Sequence, residues 1–157
     1  GVGSFDHGIN SLKNAPFFET LEKEVLENKK PILGICLGMQ LLTNSSEEGK
    51  EKGLGWIDAQ TIKFDLEDKS LSIPHMGWNK TNPTNTNDIF KNLEDNRFYF
   101  VHSYHVVCND EKNILATANY GKTFTCSIYK DNIYGVQFHP EKSHKFGIQL
   151  LKNFGDM

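Results

Sequence analysis

The stretch Pro31-Ile32-Leu33-Gly34-Ile35-Cys36-Leu37-Gly38 constrains this chain more than any other. Pro31 to Ile35 is a short apolar run of the kind that forms a buried parallel strand, and Leu37 to Thr43 reads as a helix. The cysteine stands between them, with glycines two residues before and two after. A chain that turns sharply from strand to helix through an exposed nucleophile needs small residues on both sides, and this is the context of a nucleophile elbow with cysteine in place of serine. The helix start favours a thiolate, and the Leu37 N–H can help stabilise an oxyanion. Taken alone, Gly-x-Cys-x-Gly serves equally well for a buried cysteine that closes a turn.

A second signal lies far downstream in Gly135-Val136-Gln137-Phe138-His139-Pro140-Glu141. An apolar strand delivers His139 at its C-terminal end, and Pro140 stops the strand. Ligands of open α/β sheets bind outside such strand ends, so Cys36 and His139 can meet there. Glu141 is spaced to orient the imidazole. On its own a His-Pro-Glu is more often a solvated turn.

The rest of the chain supplies the frame. Residues 1–10 read as a Gly-rich loop, and residues 11–28 as a helix with apolar positions at Leu12, Ala15, Phe18, Leu21, Val25 and Leu26. Asn44 to Gly55 reads as a polar connection. Strands are expected at 59–64, 97–107, 114–118, 124–129 and 133–138, with a closing helix over 146–154. Trp78 to Asp88, rich in Asn, Thr and Pro, reads as a loop. Alternating elements early and paired strands late give an α/β fold with a mixed sheet.

At 157 residues there is room for one domain with a sizeable core. A net charge of -3 and no basic block argue against nucleic acid and against a membrane surface. No apolar run approaches the ~20 residues of a membrane span, and no signal peptide is legible at the start. The three cysteines, Cys36, Cys108 and Cys126, form neither a disulfide framework nor a CxxC pair, which fits a reducing, cytoplasmic setting. His75, His102, His105 and His144 lack metal-ligand spacing and read as packing or surface residues rather than zinc ligands; the chemistry expected here needs no metal and no organic cofactor. The opening Gly1-Val2-Gly3-Ser4-Phe5 reads like the middle of a motif, which suggests that an N-terminal portion precedes it.

Together, Gly34-Ile35-Cys36-Leu37-Gly38-Met39-Gln40 and Gln137-Phe138-His139-Pro140-Glu141 resemble the class I (triad) glutamine amidotransferases, in the family's order of Cys followed by His-x-Glu. Gly1-Val2-Gly3 is similar to the family's oxyanion strand. Pro74-His75-Met76-Gly77-Trp78-Asn79 and Tyr99-Phe100-Val101-His102-Ser103-Tyr104 resemble the glutaminase subunits of imidazole glycerol phosphate synthases. The resemblance runs from Gly1 to Phe154. It implies a flavodoxin-like α/β fold with a mixed, mainly parallel central sheet. Residues 1–157 would form one type-1 amidotransferase domain, partial because its first strands are missing, with unpaired sheet edges as the consequence. It also implies L-glutamine as substrate, with Cys36, His139 and Glu141 as triad and Val2, Gly3 and Leu37 as oxyanion donors. Gly38, Gln40, Ser103 and Tyr104 would lie around the glutamine. Ammonia would pass to a (β/α)8 cyclase or synthase subunit in a heterodimer, met through His75, Met76, Trp78, Asn79, Tyr99 and Lys142. On this reading, activity depends on upstream residues that hold the oxyanion strand and on the partner.

Three other readings stay open. Gly3-Ser4-Phe5-Asp6-His7-Gly8, Gly53-Leu54-Gly55-Trp56-Ile57 and Lys142-Ser143-His144-Lys145-Phe146-Gly147 look more like a paralogue that serves surface-polysaccharide synthesis. A non-catalytic scaffold is disfavoured by the intact Cys36, His139 and Glu141. A peptide-directed cysteine hydrolase is disfavoured by the lack of a long binding loop beside Cys36.

Overall fold

The computed structural model describes residues 2–84, 88–93 and 95–157. Helix α1 (Phe5–Lys13) and helix α2 (Phe18–Leu26) precede strand β1 (Ile32–Ile35), which turns at Cys36 into helix α3 (Leu37–Leu41). Strands β2 (Ser45–Ser46), β3 (Ala59–Lys63), β4 (His75–Pro83), β5 (Arg97–His102), β6 (Tyr104–Cys108), β7 (Ile114–Asn119), β8 (Thr123–Lys130) and β9 (Ile133–Val136) follow, and helix α4 (His144–Gly155) closes the chain.

Three expectations change. The first helix is really two, and it begins earlier than residue 11. Phe5, Ile9 and Leu12 lie on one face of α1, with Phe5 and Ile9 fully buried. Pro16 cannot sit inside a helix, so the chain breaks at Asn14-Ala15-Pro16 and restarts at Phe18. The segment from Trp78, expected as a loop, is most of strand β4 as far as Pro83; residues 85–87 lie outside the described residues. Its polar composition hides a period-two alternation, in which Met76, Trp78 and Lys80 face solvent while His75 and Thr81 are buried. The run from 97 to 107 divides at Ser103 into β5 and β6.

The sheet is mixed. Its strands run β2-β3-β6-β8-β7-β4-β5, and β9 carries β1 from the edge of β8. Among the described residues, parallel pairing joins β1 to β9 and β2 to β3, and the other pairs are antiparallel. Strand β1 pairs with β9 on one edge and, among the described residues, with no strand on the other. Beside that open edge lies an apolar cavity of about 310 Å³ whose lining includes Leu12, Leu21, Leu33, Leu54 and Trp56.

The cores divide accordingly. Phe90, Phe98, Phe100, Leu115, Phe138 and Leu150 gather against α4. Val25, Met39, Leu42, Trp56 and Ile128 gather with α2 and α3.

His75, His102 and His105 belong to the first core and pack among Phe64, Phe100, Tyr120 and Phe124. Burial holds His75 at about 4 and His102 at about 3, and it lowers His105 as well. The unfolded chain takes up these protons near the ordinary value of about 6.5, whereas the folded chain refuses them until far lower pH. The neutral rings therefore contribute stability that is fully present above about pH 6.5 and is lost as pH falls toward 4. Urea unfolding midpoints are expected to be flat from pH 8 to 7 and to fall steeply between 6 and 4. His75→Phe should make that fall shallower by about one proton. An unchanged slope would show that His75 is not held neutral.

Candidate active site

The elbow is built by backbone fit. Strands β1 and β9 run parallel with Ile35 beside Val136, and the Cys36 N–H donates to the Val136 carbonyl at 2.8 Å. Cys36 has φ 53° and ψ -108°, a strained conformation for a non-glycine residue. Such strain is a mark of functional turns, and it projects the thiol at the sheet's C-terminal edge. A Cβ on Gly34 would stand 2.6 Å from the carbonyl carbon and oxygen of Gly38 and 2.8 Å from the Met39 nitrogen. These are backbone atoms that cannot swing aside. Gly34→Ala is therefore expected to cost about 1–3 kcal/mol, the usual range for overpacking, and to displace Cys36. Urea midpoints and glutamine turnover measured on one preparation check this; unchanged values in both would refute the steric account.

The thiol is enclosed. Gln137 Nε2 lies 3.7 Å from Cys36 Sγ, and the Val101 carbonyl oxygen lies 3.9 Å from it. Burial raises the Cys36 pKa above its ordinary value, although hydrogen bonds from the Leu37 N–H and Gln137 act the other way. The helix start was expected to favour a thiolate; desolvation outweighs it, so the resting group is a thiol that needs a base.

That base is placed by the strand before it. His139 follows β9, and its N–H donates to the Tyr99 carbonyl at 2.9 Å. Its Nδ1–H faces Glu141 Oε1 at 2.6 Å, and its Nε2 is buried and, among the described residues, without a hydrogen-bond partner. Nδ1–H on the carboxylate leaves Nε2 with the free lone pair, the arrangement of an oriented general base. His139 is 1% exposed. Ser143 Oγ fixes the turn by donating to the His139 carbonyl at 2.6 Å and accepting from the Tyr99 N–H at 2.9 Å. Helix α4 presses on the same turn: at Gly147 any Cβ would collide with the Pro140 carbonyl.

A cavity of about 160 Å³ opens at the thiol. Val2, Gly3, Leu37, Gln40 and Glu48 line it with Cys36, and Val101, His102, Ser103 and Tyr104 complete the wall. The expected oxyanion residues and Gln40, Ser103 and Tyr104 are thus brought together; Gly1 lies outside the described residues. Gln40 is buried and donates to Gln137 Oε1 at 3.1 Å. Residues 2–4 are anchored from downstream, since the Phe5 N–H donates to Glu48 Oε2 at 2.8 Å and Asp6 accepts from the Lys50 and Glu51 N–H groups at 3.0 Å.

Gly38 is not brought to this cavity. It lines the apolar cavity beside β1, and its place in the elbow follows from the close approach of its backbone to Gly34. His75 is likewise corrected as a partner-face residue. It is 2% exposed and stacked between Phe100 and Tyr120, so no partner can reach it. Met76 and Trp78 are 60% and 47% exposed, Lys142 is exposed, and Tyr99 lies edge-on to Trp78 with ring centroids 6.3 Å apart. Asn79 is half-buried and donates to the Asn119 carbonyl at 2.7 Å.

Gln137 and Glu48 were not foreseen as site residues. For Gln137 a signal existed, a polar residue within an apolar strand run. Glu48 gives none, because only the fold brings the 47–52 loop to the cavity.

The chain belongs to the class-I glutamine amidotransferase family, whose model matches residues 3–156. It is 59% identical over 155 residues to a protein of Methanococcus maripaludis named imidazole glycerol phosphate synthase subunit HisH 2, covering 98% of this chain and 76% of that one. It is 48% identical over 158 residues to a protein of the same name from Pseudomonas aeruginosa, covering 100% of this chain and 78% of that one. The fold is similar to the crystal structure of a glutamine amidotransferase from Thermotoga maritima, with a TM-score of 0.63 and 19% identity; the alignment covers 99% of this chain and 60% of that one.

Proposed function

We propose that this chain is the glutamine-hydrolysing subunit of an imidazole glycerol phosphate synthase. The observation that carries the reading is the strained Cys36 at its cavity, just beyond β1, with a buried His139, its Nδ1–H held by Glu141, just beyond the adjacent strand β9. The names of the relatives at 59% and 48% identity point to the same pathway. Residues 1–157 are taken as one amidotransferase domain.

The chemistry follows from the groups present. Glutamine enters with its α-ammonium toward Glu48, the one carboxylate in the cavity lining among the described residues, and its side-chain amide toward Cys36. As Cys36 Sγ bonds to the amide carbon, His139 Nε2 takes the thiol proton. The tetrahedral oxyanion is met by the Leu37 N–H and the backbone of Val2 and Gly3. His139 returns the proton to the leaving nitrogen, ammonia departs, and a thioester remains. Water then gives its proton to His139 and its oxygen to the thioester carbon, which releases glutamate and restores the thiol. Gln40, Ser103 and Tyr104 hold the substrate. No step calls on a metal or organic cofactor.

The ammonia passes to a (β/α)8 cyclase subunit, which uses it to form imidazole glycerol phosphate and aminoimidazole carboxamide ribotide. Met76, Trp78, Tyr99 and Lys142, with Asn79 at the rim, are the face offered to that subunit. The setting is the cytoplasm; among the described residues no helix is long and apolar enough to cross a membrane. A second reading keeps this chemistry and changes the consumer to a surface-polysaccharide synthase, favoured by the stretches 3–8, 53–57 and 142–147. Capture of the intact protein's synthase partner, with glutamate production measured in its presence and absence, decides between them. A cyclase partner supports the first reading, a sugar-modifying one the second, and no glutamate production in any complex would sink both.

A further inference from the structure

The histidines on β4 and β5 stand outside the proposed triad, and their hydrogen bonds run in one direction. His102 Nδ1 lies 2.7 Å from the Tyr104 carbonyl oxygen. A carbonyl only accepts, so Nδ1 carries the proton and His102 Nε2 is left as an acceptor. His75 Nδ1 lies 3.0 Å from that Nε2 and must donate to it. His75 Nε2 is then the acceptor for Asn79 Nδ2 at 3.3 Å, and the Asn79 amide directs its other hydrogen to the Asn119 carbonyl at 2.7 Å. The carbonyls at the two ends thus set every tautomer between them.

One end of this chain of bonds is the wall of the glutamine cavity. His102, Ser103 and Tyr104 line it, and they form the corner at which β5 ends and β6 begins. The bond from the residue 102 ring to the residue 104 carbonyl closes that corner from within. His75 and His102 are register partners across β4 and β5, and both are buried. Water therefore cannot replace a lost member, and removing the His75 donor strands an acceptor directly behind the wall.

We propose that His75 and His102 are positioning residues that hold the 102–104 wall in place for the glutamine head group. The inference rests on the glutaminase reading and deepens it. His75 touches no reacting atom and acts through His102.

Two substitutions separate the hydrogen bond from the packing. The His75 ring is stacked on Tyr120 and Phe100, with centroids 4.1 and 4.9 Å away. His75→Phe keeps the stack and removes the donor. His75→Asn places an amide N–H where Nδ1–H stood and removes the stack. Glutamine hydrolysis by the intact protein and its melting temperature are measured for both. His75→Phe is expected to raise KM about tenfold, with kcat within about threefold of the parent, as loss of a bond behind a binding wall requires. His75→Asn is expected to melt lower than His75→Phe yet keep KM within about threefold of the parent. His102→Leu, which removes the bond to Tyr104 itself, should raise KM at least as far as His75→Phe. If KM instead follows the melting temperature, normal in His75→Phe and raised in His75→Asn, the inference is overturned while the glutaminase reading stands. A parent protein that makes no glutamate even in complex with its synthase partner overturns both.

Discussion

Serine in place of Cys36 abolishes glutamine hydrolysis, with an expected loss on the order of 10⁶-fold, the scale at which removing a triad nucleophile acts. A serine hydroxyl fits the elbow and keeps its polar contacts, so the fold should survive. What disappears is the thiol, the only one in the cavity lining among the described residues. The other two cysteines offer no substitute. Burial pushes the Cys108 thiol up to about 12 and Cys126 higher still, and neither lines the cavity. Cys108→Ala and Cys126→Ala should therefore retain turnover, although Cys126→Ala should lower stability because that side chain is in the core. Glutamate production by the intact protein checks all three. Full activity in Cys36→Ser would remove the covalent mechanism.

Removal of the base comes next in size. His139→Ala is expected to lower turnover by about 10²–10⁴-fold, the usual range for lost general acid–base catalysis, and Glu141→Gln by less. The ranking follows from burial. His139 Nε2 is enclosed and, among the described residues, has no hydrogen-bond partner, whereas the Glu141 side chain is half-exposed and water can stand in for some of its role. The raised Cys36 pKa adds a signature. Without His139 the attacking thiolate must form by ionisation alone, so residual activity of His139→Ala should climb with pH as the thiolate fraction grows. A pH–rate profile from 6 to 10 reads this directly. A flat profile would mean that the thiol is already ionised or takes no part.

The sequence made the site more legible than the fold around it. The glycines at 34 and 38 announce the elbow because a sharp turn is a local steric requirement, visible in neighbouring residues. His139-Pro140-Glu141 is legible for a similar reason: β9 ends at Val136, and Pro140 starts the turn that brings Glu141 back to the ring. Strand β4 was not legible. Its outward residues share solvent with Asn and Thr, so composition resembles a loop, while its strand character comes from pairing with β5 and β7 far along the chain. Glu48 reaches the cavity only because Phe5 and Asp6 tie down the 48–51 loop, a long-range contact that no local pattern encodes. His75 was placed on the partner face together with Met76 and Trp78 by resemblance; strand alternation turns it to the buried face.

Helix α4 carries a lesson for anyone stabilising this protein. Replacing a glycine inside a helix by alanine ordinarily gains up to about 1 kcal/mol, and Gly147, in the first turn of α4, looks like a free improvement. Its missing side chain is instead the space that the Pro140 carbonyl occupies, one residue from His139. Alanine there would push the helix off the turn that aims the base. A routine helix-propensity optimisation would then return a protein that looks tighter by sequence score and is catalytically misaligned, so position 147 belongs with the active site when residues are chosen for redesign.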